Sequence, residues 1–118
     1  MRTPLIISVG MLSVLLGACG SSMPPPTDRL ASAEAAARSA KELGADNTPK
    51  AQLELKLATE QIDQAKKLMA DGDNKRADLI LQRANADAEL AVMLAKEANA
   101  KAEAEKAQEN VKNIKAGK

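Results

Sequence analysis

The chain has 118 residues, 17 Lys+Arg against 16 Asp+Glu, and no Phe, Trp, Tyr or His. That interspersed near-balance, with no basic stripe and no ring to stack on bases, excludes nucleic acid as a partner. Aromatics carry the largest buried area per residue, and here alanine supplies the largest share of the apolar count; a broad globular core is therefore excluded and a narrow helical seam expected.

Arg2 gives the chain a positive start, and an apolar run follows from Leu5 to Leu16. The run has the length of a signal-peptide core and is too short for a bilayer span of about 20 residues. Small residues then lead into the only cysteine, Leu16-Gly17-Ala18-Cys19, followed by Gly20-Ser21-Ser22. This stretch resembles the lipobox of bacterial lipoproteins. The resemblance implies that a dedicated signal peptidase reads Leu16, Gly17 and Ala18 and cuts before Cys19. It implies a diacylglycerol on the Cys19 thiol and an acyl chain on the new amino group, a covalent lipid and no other cofactor. In such lipoproteins an aspartate after the cysteine favours inner-membrane retention; residue 20 is glycine, so the implied place is the periplasmic face of the outer membrane. The alternative is an ordinary secretory signal cut after Ala18-Cys19-Gly20. Removing residues 1–18 leaves 100 residues, one small domain at most, with equal numbers of basic and acidic groups and no disulfide within a chain.

Residues 19–27 read as the lipidated cysteine and a tether in which Pro24-Pro25-Pro26 is extended and stiff. Residues 28–118 read as the helical domain. Thr27 or Asp28 is the expected cap of a first helix, about 29–43, with a stripe at Leu30, Ala33, Ala37 and Ala40. Gly44 suits the left-handed stop after it. Ala45-Asp46-Asn47 is a short connection. Thr48-Pro49 predicts a hydroxyl cap and a proline at the first position of a second helix, about 49–70. Its stripe is Ala51, Leu55, Ala58, Ile62, Ala65 and Met69.

Asp71-Gly72-Asp73-Asn74 predicts a tight turn with its own cap. The third helix, about 75–115, runs unbroken for some 40 residues, roughly 60 Å. Its stripe is Ala77, Leu81, Ala84, Ala88, Ala91, Ala95, Ala98 and Ala102, at heptad spacing. Folding the last two helices together at Gly72 sets Met69 near Ala77, Ala65 near Leu81, Ile62 near Ala84, Ala58 near Ala88 and Leu55 near Ala91. Large residues meet small ones, and the backbones approach closely. Beyond about Lys96 the third helix has no partner left within the chain. Its apolar stripe changes phase there to Ala100, Ala104, Ala107, Val111 and Ile114, and Glu97 to Lys101 makes a favourable i,i+4 pair. Leu90 to Ala95 is apolar at six successive positions, more than one partner helix covers, so the first helix, a second protomer or both must share it. The basic residues Lys112, Lys115 and Lys118 suit a helix C-terminus.

The residues for catalysis are missing. No histidine serves as base or metal ligand, and the cysteine is assigned to lipid. Ser21, Ser22, Ser32 and Ser39 lie in the tether or first helix, with no strand-turn-helix elbow and no Gly-rich phosphate loop. Asp71, Asp73 and Asp78 cluster at Gly72 without the spacing of a calcium loop, and helix capping explains them. No enzyme and no metal site is expected.

Ala40-Lys41-Glu42-Leu43-Gly44-Ala45, Pro49, Leu57-Ala58, Ala65, Gly72-Asp73, Ala77 and Arg83-Ala84-Asn85-Ala86-Asp87-Ala88-Glu89-Leu90-Ala91 resemble the lipoprotein domain-of-unknown-function family 4398, from Leu30 to about Ile114. The resemblance implies a secreted or lipidated envelope protein. Some members carry a peptidoglycan-binding domain after the helices, which this sequence lacks. A second resemblance, to the murein lipoprotein, rests on Cys19, the alanine-striped helix and Lys118, and makes Lys118 a candidate for wall attachment. The breaks at Gly44 and Gly72 depart from that single rod, as does Gly117 where that family has a basic residue.

The expected fold is all-α: an antiparallel helical hairpin, tetratricopeptide-like or an alanine-seamed coiled coil, with a short preceding helix and a long C-terminal arm. The expected function is that of a non-enzymatic outer-membrane lipoprotein with a structural or spacer role in the periplasm. The alternatives are a tetratricopeptide-like adaptor for one envelope protein, and a wall tether through Lys118. Membrane contact is through acyl chains; a second copy or an envelope protein is expected at Leu90–Ala95 and the arm, and peptidoglycan at Lys118.

Overall fold

The computed structural model describes residues 22–117. Leu16, Gly17, Ala18 and Cys19, and the wall-attachment candidate Lys118, lie outside the described residues. The fold is all-helical: α1 (Thr27–Glu42), a single 3-10 turn (Ala45–Asn47), α2 (Pro49–Ala70) and α3 (Asn74–Lys115).

The first helix starts at Thr27, earlier than its side chains suggest. Pro26 holds the cap position, and neither Thr27 nor Asp28 supplies a side-chain cap. Proline arrives with φ already fixed near its helical value, and the Pro26 carbonyl accepts from the Leu30 amide at 3.1 Å, so the first turn closes without a hydroxyl. Thr48 likewise occupies the cap of α2 with extended backbone, yet its hydroxyl makes no cap hydrogen bond; Pro49 at the first position has no N–H to satisfy.

The helix ends follow their glycines. Gly44 takes φ +84° and donates its N–H to the Lys41 carbonyl at 2.9 Å. At Gly72, φ +79°, the chain makes a Schellman stop: Gly72 N–H to Met69 O at 3.1 Å and Asp73 N–H to Leu68 O at 2.8 Å. Asp73 then opens α3, accepting from the Arg76 amide at 3.3 Å and pairing with its guanidinium at 3.1 Å.

The seam is almost wholly alanine. Ala33, Ala37 and Ala40 of α1, Ala51, Leu55, Ala58, Ile62 and Ala65 of α2, and Ala77, Leu81, Ala84, Ala88, Ala91 and Ala95 of α3 are buried, with Ala45 of the 3-10 turn beside them. Leu30 and Met69 at the stripe ends are half-buried. Methyl-lined helices approach until backbone limits them, so the fold gains little apolar area per residue but packs it closely.

The polar ties fix the order of the three helices. Gln61 Nε2 donates to Asp87 at 2.7 Å, so α2 and α3 run antiparallel from the Gly72 turn. Lys66 pairs with Glu34 at 2.6 Å across α1 and α2. Along α3 the ties to α1 rise in step: Arg29 to Asp78, Ser32 Oγ to Asn85 at 3.0 Å, and Asn99 Nδ2 to the Leu43 carbonyl at 3.0 Å. The first helix therefore runs parallel to α3, which it contacts more than α2.

Candidate functional site: the two faces of the third helix

Cover on α3 ends where its partners end. Ala98 is half-buried, and every residue from Asn99 to Gly117 is exposed. Ala102 continues the buried stripe in sequence but is exposed, because α1 has turned away at Leu43 and α2 only begins at Pro49. The helix then extends alone for 17 residues to Lys115, roughly 25 Å.

The opposite face of α3 carries a second stripe. Two residues beyond each buried position the chain reads Leu79, Arg83, Ala86, Leu90, Met93 and Glu97, and the same alternation of fours and threes continues through Ala100, Ala104, Ala107, Val111 and Ile114. The apparent phase change after Lys96 is this second stripe, present from Leu79 onward and continuing into the arm. Its large members stand in solvent: Leu90 is 37% exposed, Met93 60%, Val111 50% and Ile114 76%. Within Leu90–Ala95 the structure divides the six residues cleanly. Ala91 and Ala95 are buried, Val92 and Leu94 are half-buried, and Leu90 and Met93 face outward. The first helix and α2 together cover one side and leave the other open.

The charges of this face are local. Glu97 and Lys101 pair at 2.7 Å. The hydrogen bond from Lys101, followed by its charge, holds the Glu97 carboxyl below its ordinary range, and the same contact raises Lys101. Lys96 and Glu103, which flank the stripe, form none of the ion pairs found among the described residues.

The chain enters the fold at the other end. Asn74 Nδ2 donates to the Met23 carbonyl at 2.7 Å, so the tether is pinned to the first turn of α3, beside the Gly72 turn. Tether and arm thus leave from opposite ends of the helical body.

The family model described as "Domain of unknown function (DUF4398)" matches residues 28–109. The chain belongs to that family. No curated protein and no solved structure matches it. The DUF4398 match spans α1 from Asp28, all of α2, and α3 as far as Glu109, which takes in the first part of the arm. Among the described residues, no three His, Cys, Asp or Glu side chains are grouped to hold a metal ion, and no helix is long and apolar enough to cross a membrane.

Proposed function

We propose that this DUF4398 chain is a non-enzymatic lipoprotein of the outer membrane, facing the periplasm and serving as a structural or spacer element. The observation that carries this is Leu16-Gly17-Ala18-Cys19 behind an apolar run and ahead of a proline tether. The pinning of Met23 beside the Gly72 turn supports it. An anchor at Cys19 would hold that end of the body and leave the exposed arm free to dock. Acyl burial stabilises membrane binding by about 0.8 kcal/mol per methylene; one chain binds reversibly, and three hold essentially permanently.

Labelling cells with radioactive palmitate tests the anchor. The wild-type chain takes up label and Cys19→Ala does not; equal labelling overturns the reading. Wall attachment through Lys118 predicts a muropeptide-bound form after lysozyme digestion that disappears when Lys118 is deleted.

A further inference from the structure

We propose that the outer stripe of α3 is the seam of an antiparallel dimer, in which the arm of each copy lies along the outer face of the other copy's helical body. This seam runs from Leu79 to Ile114 and does not depend on lipid at Cys19.

Size complementarity sets the register. In a two-stranded antiparallel coil the inward positions of one helix meet those of the other in reverse order. Placing Met93 opposite Ala104 of the second copy also places Leu90 opposite Ala107, Ala86 opposite Val111, Glu97 opposite Ala100 and Arg83 opposite Ile114. Leu90 and Met93 of the body meet alanines of the arm, and the large residues of the arm tip meet Ala86 and the flexible stem of Arg83. The same large-against-small logic closes the seam inside each chain.

Charge selects the same arrangement. In this register Lys96 lies across from Glu103 of the second copy, and the symmetry makes the contact twice. Neither side chain has an ion-pair partner among the described residues. Glu97, neutralised by Lys101 of its own chain, meets alanine. A parallel pair would stack Glu97 on Glu97 and Arg83 on Arg83 and set Lys96 against Lys101, like charges that the antiparallel pair avoids.

Length agrees as well. The twofold axis falls between Ala98 and Asn99, where intrachain cover stops. The 17-residue arm from Asn99 to Lys115 then reaches back along the partner to about residue 82, which nearly spans the outer face that starts at Leu79. The two tethers would join at opposite ends of the pair, roughly 70 Å apart at 1.5 Å per residue. Under the proposed anchorage the pair would therefore lie along one bilayer, separating two anchor points.

The test uses the full chain, purified in detergent, as Met93→Cys/Ala104→Cys, as each single variant, and as wild type, so that Cys19 is common to all. After oxidation with copper phenanthroline, the double variant yields a covalent dimer with a 93–104 bridge identified by peptide mass spectrometry. Neither single variant yields a 93–93 or 104–104 bridge. In parallel, Ala104→Glu places a carboxylate against Met93 of the second copy. It converts the dimer seen by sedimentation to monomer while leaving the helix signal unchanged, since Ala104 is exposed within its own chain. A 93–93 or 104–104 bridge overturns the proposal, as do a wild-type chain that sediments as monomer and a dimer indifferent to Ala104→Glu.

Discussion

Replacing Leu81 with alanine probes the seam at its largest fully buried side chain. The change removes three carbons, about 2.4 kcal/mol of transfer free energy at ~0.8 kcal/mol each. A cavity term adds to this, and total costs for such truncations span about 2.7–5.0 kcal/mol according to how far the site collapses. Here twelve of the fifteen buried residues among those described are alanine, with no rotamer to swing into the gap. The expected loss is therefore in the upper part of that range, about 3.5–5 kcal/mol. Urea unfolding followed by far-ultraviolet circular dichroism measures it, since the chain has no tryptophan to report by fluorescence. Leu53→Ala, at a residue 56% exposed on α2, is the matched control and costs under about 1 kcal/mol. A Leu81→Ala loss below about 1.5 kcal/mol, or one equal to the control, would refute the rigid alanine seam.

Gly72→Ala meets open space but must hold φ +79°, so it costs about 1–2 kcal/mol through backbone strain alone; an unchanged urea midpoint contradicts this. Ending the chain after Ala102 keeps the Asn99–Leu43 bond and, among the described residues, removes only exposed ones, so unfolding stability under monomeric conditions stays within about 0.5 kcal/mol while helix signal falls. The Glu34 hydrogen bond, aided by its charge and by Asp63, raises Lys66 above its ordinary value. Stability from that pair is complete below the unfolded lysine value and fades as pH rises through the raised folded one. The thermal midpoint should fall over that alkaline interval and fall less in Lys66→Gln; an alkaline limb just as steep in the variant rejects the linkage.

Much of this architecture is legible in the sequence because alanine at three-and-four spacing has few uses other than close helix packing. Ala51, Ala58 and Ala65 mark one face of α2 by themselves, and Gly44 and Gly72 mark stops that the backbone signs confirm. Less legible is what depends on partner length. Ala98 and Ala102 look alike in sequence, yet only Ala98 is partly covered, because the reach of α1 and α2 decides it. Side-chain caps misled in the other direction: Thr27, Asp28 and Thr48 are good cappers left unused beside prolines that had already satisfied the geometry. The outer stripe of α3 was visible only as its tail. Leu79, Ala86, Leu90 and Met93 sit two residues out of step with the buried alanines, and in a helix so rich in apolar residues the two lines blend until burial separates them. No sequence pattern announces the Asn74–Met23 tie, which joins residues far apart in the chain.

The parallel course of α1 and α3 has a mechanical meaning. A load drawn between the tether and the tip of the arm pulls α1 one way along the body and α3 the other. Arg29–Asp78, Ser32–Asn85 and Asn99–Leu43 lie across that sliding plane and would take up strain together. An antiparallel pair loaded at its open end peels one contact at a time, but this connectivity resists in shear. The order of three helices thus makes the body a clasp for tension along its axis.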